Sequence, residues 1–310
     1  MSDLILHHYS TSPFSEKIRA VLGYKQLAWK SVFTPSIMPK PDLTALTGGY
    51  RKAPVLQIGA DIYCDSKRIV RALDSLSSQR PLVPRGQEAV CAAMEQWTEQ
   101  VLFFLVIPIV FQPQGMAHFF GKLAPAAVAG FQKDREALFA GGTAKRPSKT
   151  ATHNELPAFL SHVDAQLAAA PFLLGPAPTV ADFSVYHLIW FIHSNPGVRA
   201  YLDPYPNLLA WIARIAAFGH GRAEKMTGEE AVKIAHDCQP RAPEGVAAAD
   251  PSGLKPGDKV SVNAIDYGTD AVTGVLAHSS IHEVAVRRVD TRAGEVVVHF
   301  PRAGFRIAAA

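Results

Sequence analysis

The sequence predicts a small α/β unit, then an all-helical unit, then a small all-β unit. Three observations carry this. Over residues 1–80 short apolar runs alternate with helical patterns, from 87 to 238 apolar residues recur at helical spacing without a convincing strand, and from 258 to 310 short alternating segments follow one another. Residues 239–257, rich in Pro, Gly and Ala, read as a linker.

In the first unit Leu4 to Tyr9, Trp29 to Phe33, Val55 to Ile58 and Asp61 to Cys64 are expected as strands. Ser12 to Tyr24 and Ser66 to Leu76 are expected as helices, and Gly59-Ala60-Asp61 as the turn of a hairpin. In the second unit helical spacing runs over Gln87 to Phe111, Ala124 to Phe139, His153 to Ala169, Val180 to Ile192, Pro206 to Phe218 and Gly228 to Cys238. Thr179-Val180-Ala181-Asp182 has the layout of a capping box with Asp at its third helical position. In the third unit Lys259 to Ile265, Val272 to Ala277, Ile281 to Val289 and Glu295 to Phe300 alternate as strands. Asp266-Tyr267-Gly268, His278-Ser279-Ser280 and Arg292-Ala293-Gly294 separate them, which suits an SH3-like barrel or a β-roll.

Composition narrows the function classes. A chain of 310 residues with 48% hydrophobic and 19% charged residues is a folded, soluble protein of two or three domains. Its net charge of +4 is not concentrated, and the Arg287-Arg288 pair has no interleaved aromatics, so no nucleic-acid partner is expected. Cys64, Cys91 and Cys238 lie far apart and form no CxxC pair, which fits a reducing, cytoplasmic setting. No secretory signal is expected at the N-terminus. Val101 to Phe111 is too short for a membrane span and contains Pro108, so it is expected as a buried helix.

The segment Tyr9-Ser10-Thr11-Ser12-Pro13-Phe14-Ser15-Glu16-Lys17-Ile18-Arg19 runs from a strand exit into a helix start. Ser12 reads as the N-cap and Pro13 as the first helical residue, so free N–H groups and a positive dipole end surround the Ser12 hydroxyl. A thiolate is stabilised in such a place, although a serine there also suits a plain cap. Arg51-Lys52-Ala53-Pro54-Val55-Leu56 sets a proline directly before a strand, where a cis bond leaves the Ala53 N–H and C=O to an extended peptide. Asp65-Ser66 opens a helix after a strand, where a hydroxyl and free amides suit a carboxylate.

Together these segments and Thr179-Val180-Ala181-Asp182-Phe183 resemble the cytosolic glutathione transferases over residues 1–238. The resemblance implies a thioredoxin-like domain followed by a helical domain, glutathione as co-substrate, a small apolar electrophile as second substrate, and a homodimer. Carried over, Ser12 donates a hydrogen bond to the thiolate, with Tyr9, Ser10 and Ser15 as alternatives. Phe14, Lys52, Ala53 and Pro54 face the tripeptide, and Asp65 and Ser66 hold its γ-glutamyl end. Lowering a thiol pKa from ~8.5 to ~7 takes about 2 kcal/mol. One hydrogen bond to a charged group, roughly 1.5–3 kcal/mol, and a helix-end term of ~0.3–1 kcal/mol can supply it, so no metal is expected.

A serine at this position cannot form a mixed disulfide, which favours conjugation over thiol–disulfide exchange. Asp65 replaces the commoner Glu or Gln and Ala53 the commoner Val, changes that leave backbone and carboxylate roles open. Phe103, Phe104, Ile107, Phe111 and His118, with Met116 and Phe119, lie where the family often lines its hydrophobic pocket, and at helical spacing they equally suit a core. The third unit is additional to the usual transferase and is expected to pack on the helical domain, close a pocket or mediate association.

Overall fold

The computed structural model describes residues 3–145, 148–241, 245–247 and 252–310. Parts of the expected linker therefore lie outside the described residues. The first unit runs β1 (Leu4–His8), α1 (Pro13–Tyr24), β2 (Ala28–Phe33), α2 (Pro41–Thr47), β3 (Val55–Ile58), β4 (Asp61–Cys64) and α3 (Ser66–Ser75). β1 pairs parallel to β2 and antiparallel to β3, which turns through a hairpin into β4. Ile5, Leu6, Val55, Leu56 and Ile62 are all fully buried, as strands covered on both faces must be. The helix α2 was not read from the sequence. It is short, its Lys40 cap makes no side-chain hydrogen bond, and only Leu43, Ala45, Leu46 and Thr47 face the core.

The helical unit holds α4 (Glu88–Trp97), α5 (Phe103–Val110), α6 (Pro113–Phe120), α7 (Pro125–Phe139), α8 (Lys149–Ala169), α9 (Val180–His193) and α10 (Pro206–Ala216). A π turn over Thr98–Leu102 joins α4 to α5, so one helical run extends from Glu88 to Val110. By length and composition that run could cross a membrane. Here Leu102 to Val106, Ile109 and Val110 are buried among the chain's own helices. α9 starts at the expected box: Asp182 accepts the N–H groups of Thr179 at 2.9 Å and Leu173 at 2.8 Å and the Trp211 indole N–H at 3.1 Å.

The chain then leaves the bundle, which corrects the expectation of an all-helical stretch to 238. β5 (Arg222–Lys225) pairs parallel with β2, and α11 (Gly228–Asp237) packs on the sheet beside α2. β5 is a fully exposed, charged edge strand, so it carries no apolar alternation to read.

The third unit comprises β6 (Gly245–Val246), β7 (Lys259–Ala264), β8 (Val272–Ser279), β9 (Glu283–Asp290), β10 (Gly294–Pro301) and β11 (Phe305–Ala309). β7 to β10 form an antiparallel meander, β11 returns to β7, and β6 adds to β8. It is not a closed barrel, because the outer edge of β10 pairs parallel with β4. The order of the resulting sheet is β11-β7-β8-β9-β10-β4-β3-β1-β2-β5. Pairing with β10 satisfies the ladder groups that β4 would otherwise expose as an edge. Val260, Val262, Leu276, Val286, Val298 and Phe300 share one core with Leu43, Leu46, Tyr50 and Ile62 of the first unit. His299 seals the seam, its Nδ1 at 2.5 Å from Glu283 and its Nε2 at 3.1 Å from Asp61, while Arg68 holds Glu283 at 2.8 Å.

Candidate functional site

Ser12 caps α1, with Pro13 in the first turn. Its Oγ accepts the Ser15 N–H at 3.1 Å, and the residue is 1% exposed. A hydroxyl that accepts from the backbone keeps its own proton to donate. Arg19 fixes the preceding loop by donating to Tyr9 O at 3.3 Å and Ser10 O at 3.0 Å, and it pairs with Glu16 at 2.8 Å. Tyr9 is half-buried under Lys40, Ser10 is exposed, and Ser15 is buried with its Oγ unpartnered.

The Ala53–Pro54 bond is cis, and ladder pairing starts only at Val55. Lys52 reaches away from the strand toward the third unit, donating to Asp266 Oδ1 at 3.2 Å and Tyr267 O at 3.1 Å.

Asp65, at φ +74°, caps α3 by accepting the Lys67 N–H at 3.0 Å. The Ser66 hydroxyl donates to Glu99 Oε1 at 3.2 Å and accepts from Lys17 Nζ at 3.4 Å. Lys67 Nζ holds the other Glu99 oxygen at 3.0 Å. The helix start that the sequence assigned to a ligand carboxylate thus carries a carboxylate of the chain itself. Lys17, 0% exposed, also meets Glu95 at 3.4 Å, and Arg71 meets Glu95 at 2.8 Å. Burial opposes ionisation of Glu99, but Lys67 and Lys17 outweigh it and hold its carboxyl below the usual range. Burial, and then the Glu99 charge, push Asp65 up.

The expected pocket residues fall into two groups. The Phe14 ring lies 5.3 Å from Phe103, which lies 5.0 Å from Phe104 and 6.1 Å from Tyr267. Phe111, about 12 Å further along the helix at 1.5 Å per residue, instead meets Phe119, Phe120 and Phe191. His118 is exposed beside Phe119, Met116 and Ile107 are half-buried, and none of them shares a ring contact with Phe14.

Three residues at the site were missed. Glu99 follows Glu95 by four positions, a spacing that puts two carboxylates on one face of an apolar helix and was a readable signal. His187 on α9 lies 4.9 Å from Phe14, with Nδ1 on Phe183 O at 3.1 Å and its buried Nε2 unpartnered. Burial, helped by Lys17, lowers its pKa to about 3, so the ring is neutral. Tyr267 looked like turn punctuation and gave no signal.

A parallel-and-antiparallel sheet, a capped serine at its first helix and a helical bundle behind it define a thioredoxin-like domain followed by a helical domain. Residues 6–81 match the family "Glutathione S-transferase, N-terminal domain" and residues 136–218 the family "Glutathione S-transferase, C-terminal domain". The chain belongs to the glutathione S-transferase family. It is similar to a GST-like protein from Pseudomonas syringae, at 41% identity and TM-score 0.83, over 100% of both chains, so the third unit falls within the likeness. A glutathione S-transferase from Rhodospirillum rubrum F11 aligns with 69% of this chain and 88% of its own at 18% identity and TM-score 0.50, a likeness of fold. Among curated proteins no match was found.

Proposed function

We propose that the protein is a glutathione transferase in which Ser12 stabilises the thiolate of glutathione for addition to an apolar electrophile. The observation that carries this reading is the capped Ser12, whose oxygen is held by the Ser15 N–H while its proton stays free to donate. On binding, the thiol releases its proton to solvent. The sulfur lone pair then forms the new bond to the electrophilic carbon, and the displaced electron pair leaves with the departing group or takes up a proton. Ala53 pairs its backbone with the cysteinyl part, and Asp65 and Ser66 hold the γ-glutamyl end. Phe14, Phe103 and Phe104 supply the apolar side.

The test is calorimetry with glutathione, expected to show binding at millimolar ligand or tighter. Absence of heat and of competition at that concentration defeats the reading. With binding in hand, Ser12→Ala should raise the thiol pKa of bound glutathione by about 1–2 units, the worth of one hydrogen bond to a charged group. Thiolate absorbance in the ultraviolet reads the shift.

A second reading, a non-enzymatic binding or interaction module, is favoured by one observation. Ser66 and Lys52 already have partners within the chain, Glu99 and Asp266. It predicts no turnover with any electrophile even where glutathione binds. Homodimerisation and a cytoplasmic setting belong to the proposal as well. The apolar run Val101 to Phe111 is largely buried within one chain, so a dimer would use another surface.

A further inference from the structure

The loop between β7 and β8 lies outside the two transferase domains, yet it packs against residues of both. Tyr267 is 9% exposed, with its ring 4.7 Å from Phe139, 6.1 Å from Phe103 and 6.4 Å from Phe104. Phe103 in turn touches Phe14, two residues after Ser12. On its other side the Tyr267 ring lies 4.5 Å from Lys52 Nζ, next to Ala53 and Pro54. Tyr267 therefore stands between Lys52, at the start of the cis-proline loop, and the apolar rings of Phe103, Phe104 and Phe139. Burial first, and then the charge of Asp266, push its phenol well above the ordinary range.

The loop is built into this place. Gly268 N–H donates to Leu138 O at 2.6 Å, Thr143 N–H to Ile265 O at 2.9 Å and Ala144 N–H to Asp266 O at 3.0 Å. Two glycines permit the approach. A Cβ on Gly142 would fall 1.7 Å from Asp266 O, and Gly268, at φ +59°, would drive one to 2.9 Å from Leu138.

We propose that Tyr267 is a specificity-determining residue of the glutathione cleft: its ring, supplied by the C-terminal β unit, is the wall that limits the group carried on the sulfur. The inference rests on the transferase reading above. It assigns the protein to small electrophiles and against bulky aryl ones, because a benzyl group on the sulfur would need the volume that this ring fills.

The experiment is calorimetry of the full chain with glutathione, S-methylglutathione and S-benzylglutathione, on the wild type, Tyr267→Phe, Tyr267→Leu and Tyr267→Ala. The wild type should bind the S-benzyl compound about tenfold more weakly than the S-methyl one, the size of an overpacking penalty. Tyr267→Ala should reverse that ratio and Tyr267→Phe should keep it, with glutathione itself bound within about twofold throughout, since only the wall has changed. Tyr267→Leu keeps an apolar side chain in the cluster and should shift the ratio the same way should the alanine variant not fold. An unchanged ratio in the alanine and leucine variants overturns the assignment while leaving the transferase reading intact. Absence of binding by all four proteins to glutathione overturns both.

Discussion

Replacing Lys17 by Met should unbalance the buried charge cluster behind Ser12. The ammonium lies 3.4 Å from both Glu95 and Glu99 and 3.4 Å from Ser66 Oγ. At 3.4 Å and an effective dielectric of about 20, each carboxylate attracts it by about 5 kcal/mol. Desolvation offsets most of that gain while the cluster is intact, and removing the ammonium takes one of two cations from each of Glu95 and Glu99, at a cost of up to about 3–5 kcal/mol, that of breaking a buried pair. Arg71 stays on Glu95 and Lys67 on Glu99, one cation on each carboxylate. The melting temperature should fall by up to about 5–8 °C, at about 1.5 °C per kcal/mol for 310 residues. Adding Glu99→Gln should recover part of the loss, with a coupling of at least about 1 kcal/mol in the double-mutant cycle.

The pH dependence has a definite sign. In the wild type the depressed Glu99 contributes stability that is present above its unfolded pKa of about 4.3 and is lost as pH falls toward the folded one. In Lys17→Met only Lys67 is left to oppose the burial of Glu99, so its folded pKa rises from the wild-type value, and its part of the lost stability is full above that raised value and vanishes as pH falls below it. The stability gap should therefore be smaller at about pH 5 than at about pH 7.5. Thermal unfolding at the two pH values is the assay. A variant within about 1 kcal/mol of wild type at pH 7.5, the range of an exposed pair, or a gap that widens in acid, refutes the reasoning.

His299→Phe should open the seam between the third unit and the first, since Asp61 and Glu283 both lose the imidazole that bridges them, with only Arg68 left on Glu283 and the Arg241 N–H on Asp61. Hydrogen exchange is expected to speed up at Val297 and Val298 with slow exchange kept at Ile5 and Leu6, and equal protection throughout would contradict the role given to this histidine. Asp182→Ala removes the acceptor of two backbone N–H groups and the Trp211 indole, at a cost of about 3 kcal/mol or more. Chemical denaturation reads it, and a loss under about 1 kcal/mol would mean that these donors find water instead.

Much of the fold was legible locally. β3 and β4 lie where the alternation put them, α1 begins after Ser12, and Asp182 closes the box read at Thr179. Such features are set by residues within a few positions of one another, through side-chain period, cap and turn chemistry. α2 and β5 escaped because a seven-residue helix without a capping side chain and a charged edge strand carry almost no pattern.

The sequence by itself determined the order of most of the helices and strands, the capped serine and the family to which the chain belongs. Tertiary structure alone decided that β10 pairs with β4, that Glu99 sits on Ser66 and that Tyr267 packs on Phe103. These contacts join residues far apart in the chain, 238 positions for His299 and Asp61. Period and capping say which face of a segment is apolar, but not which distant segment covers it, because that choice depends on how whole surfaces fit.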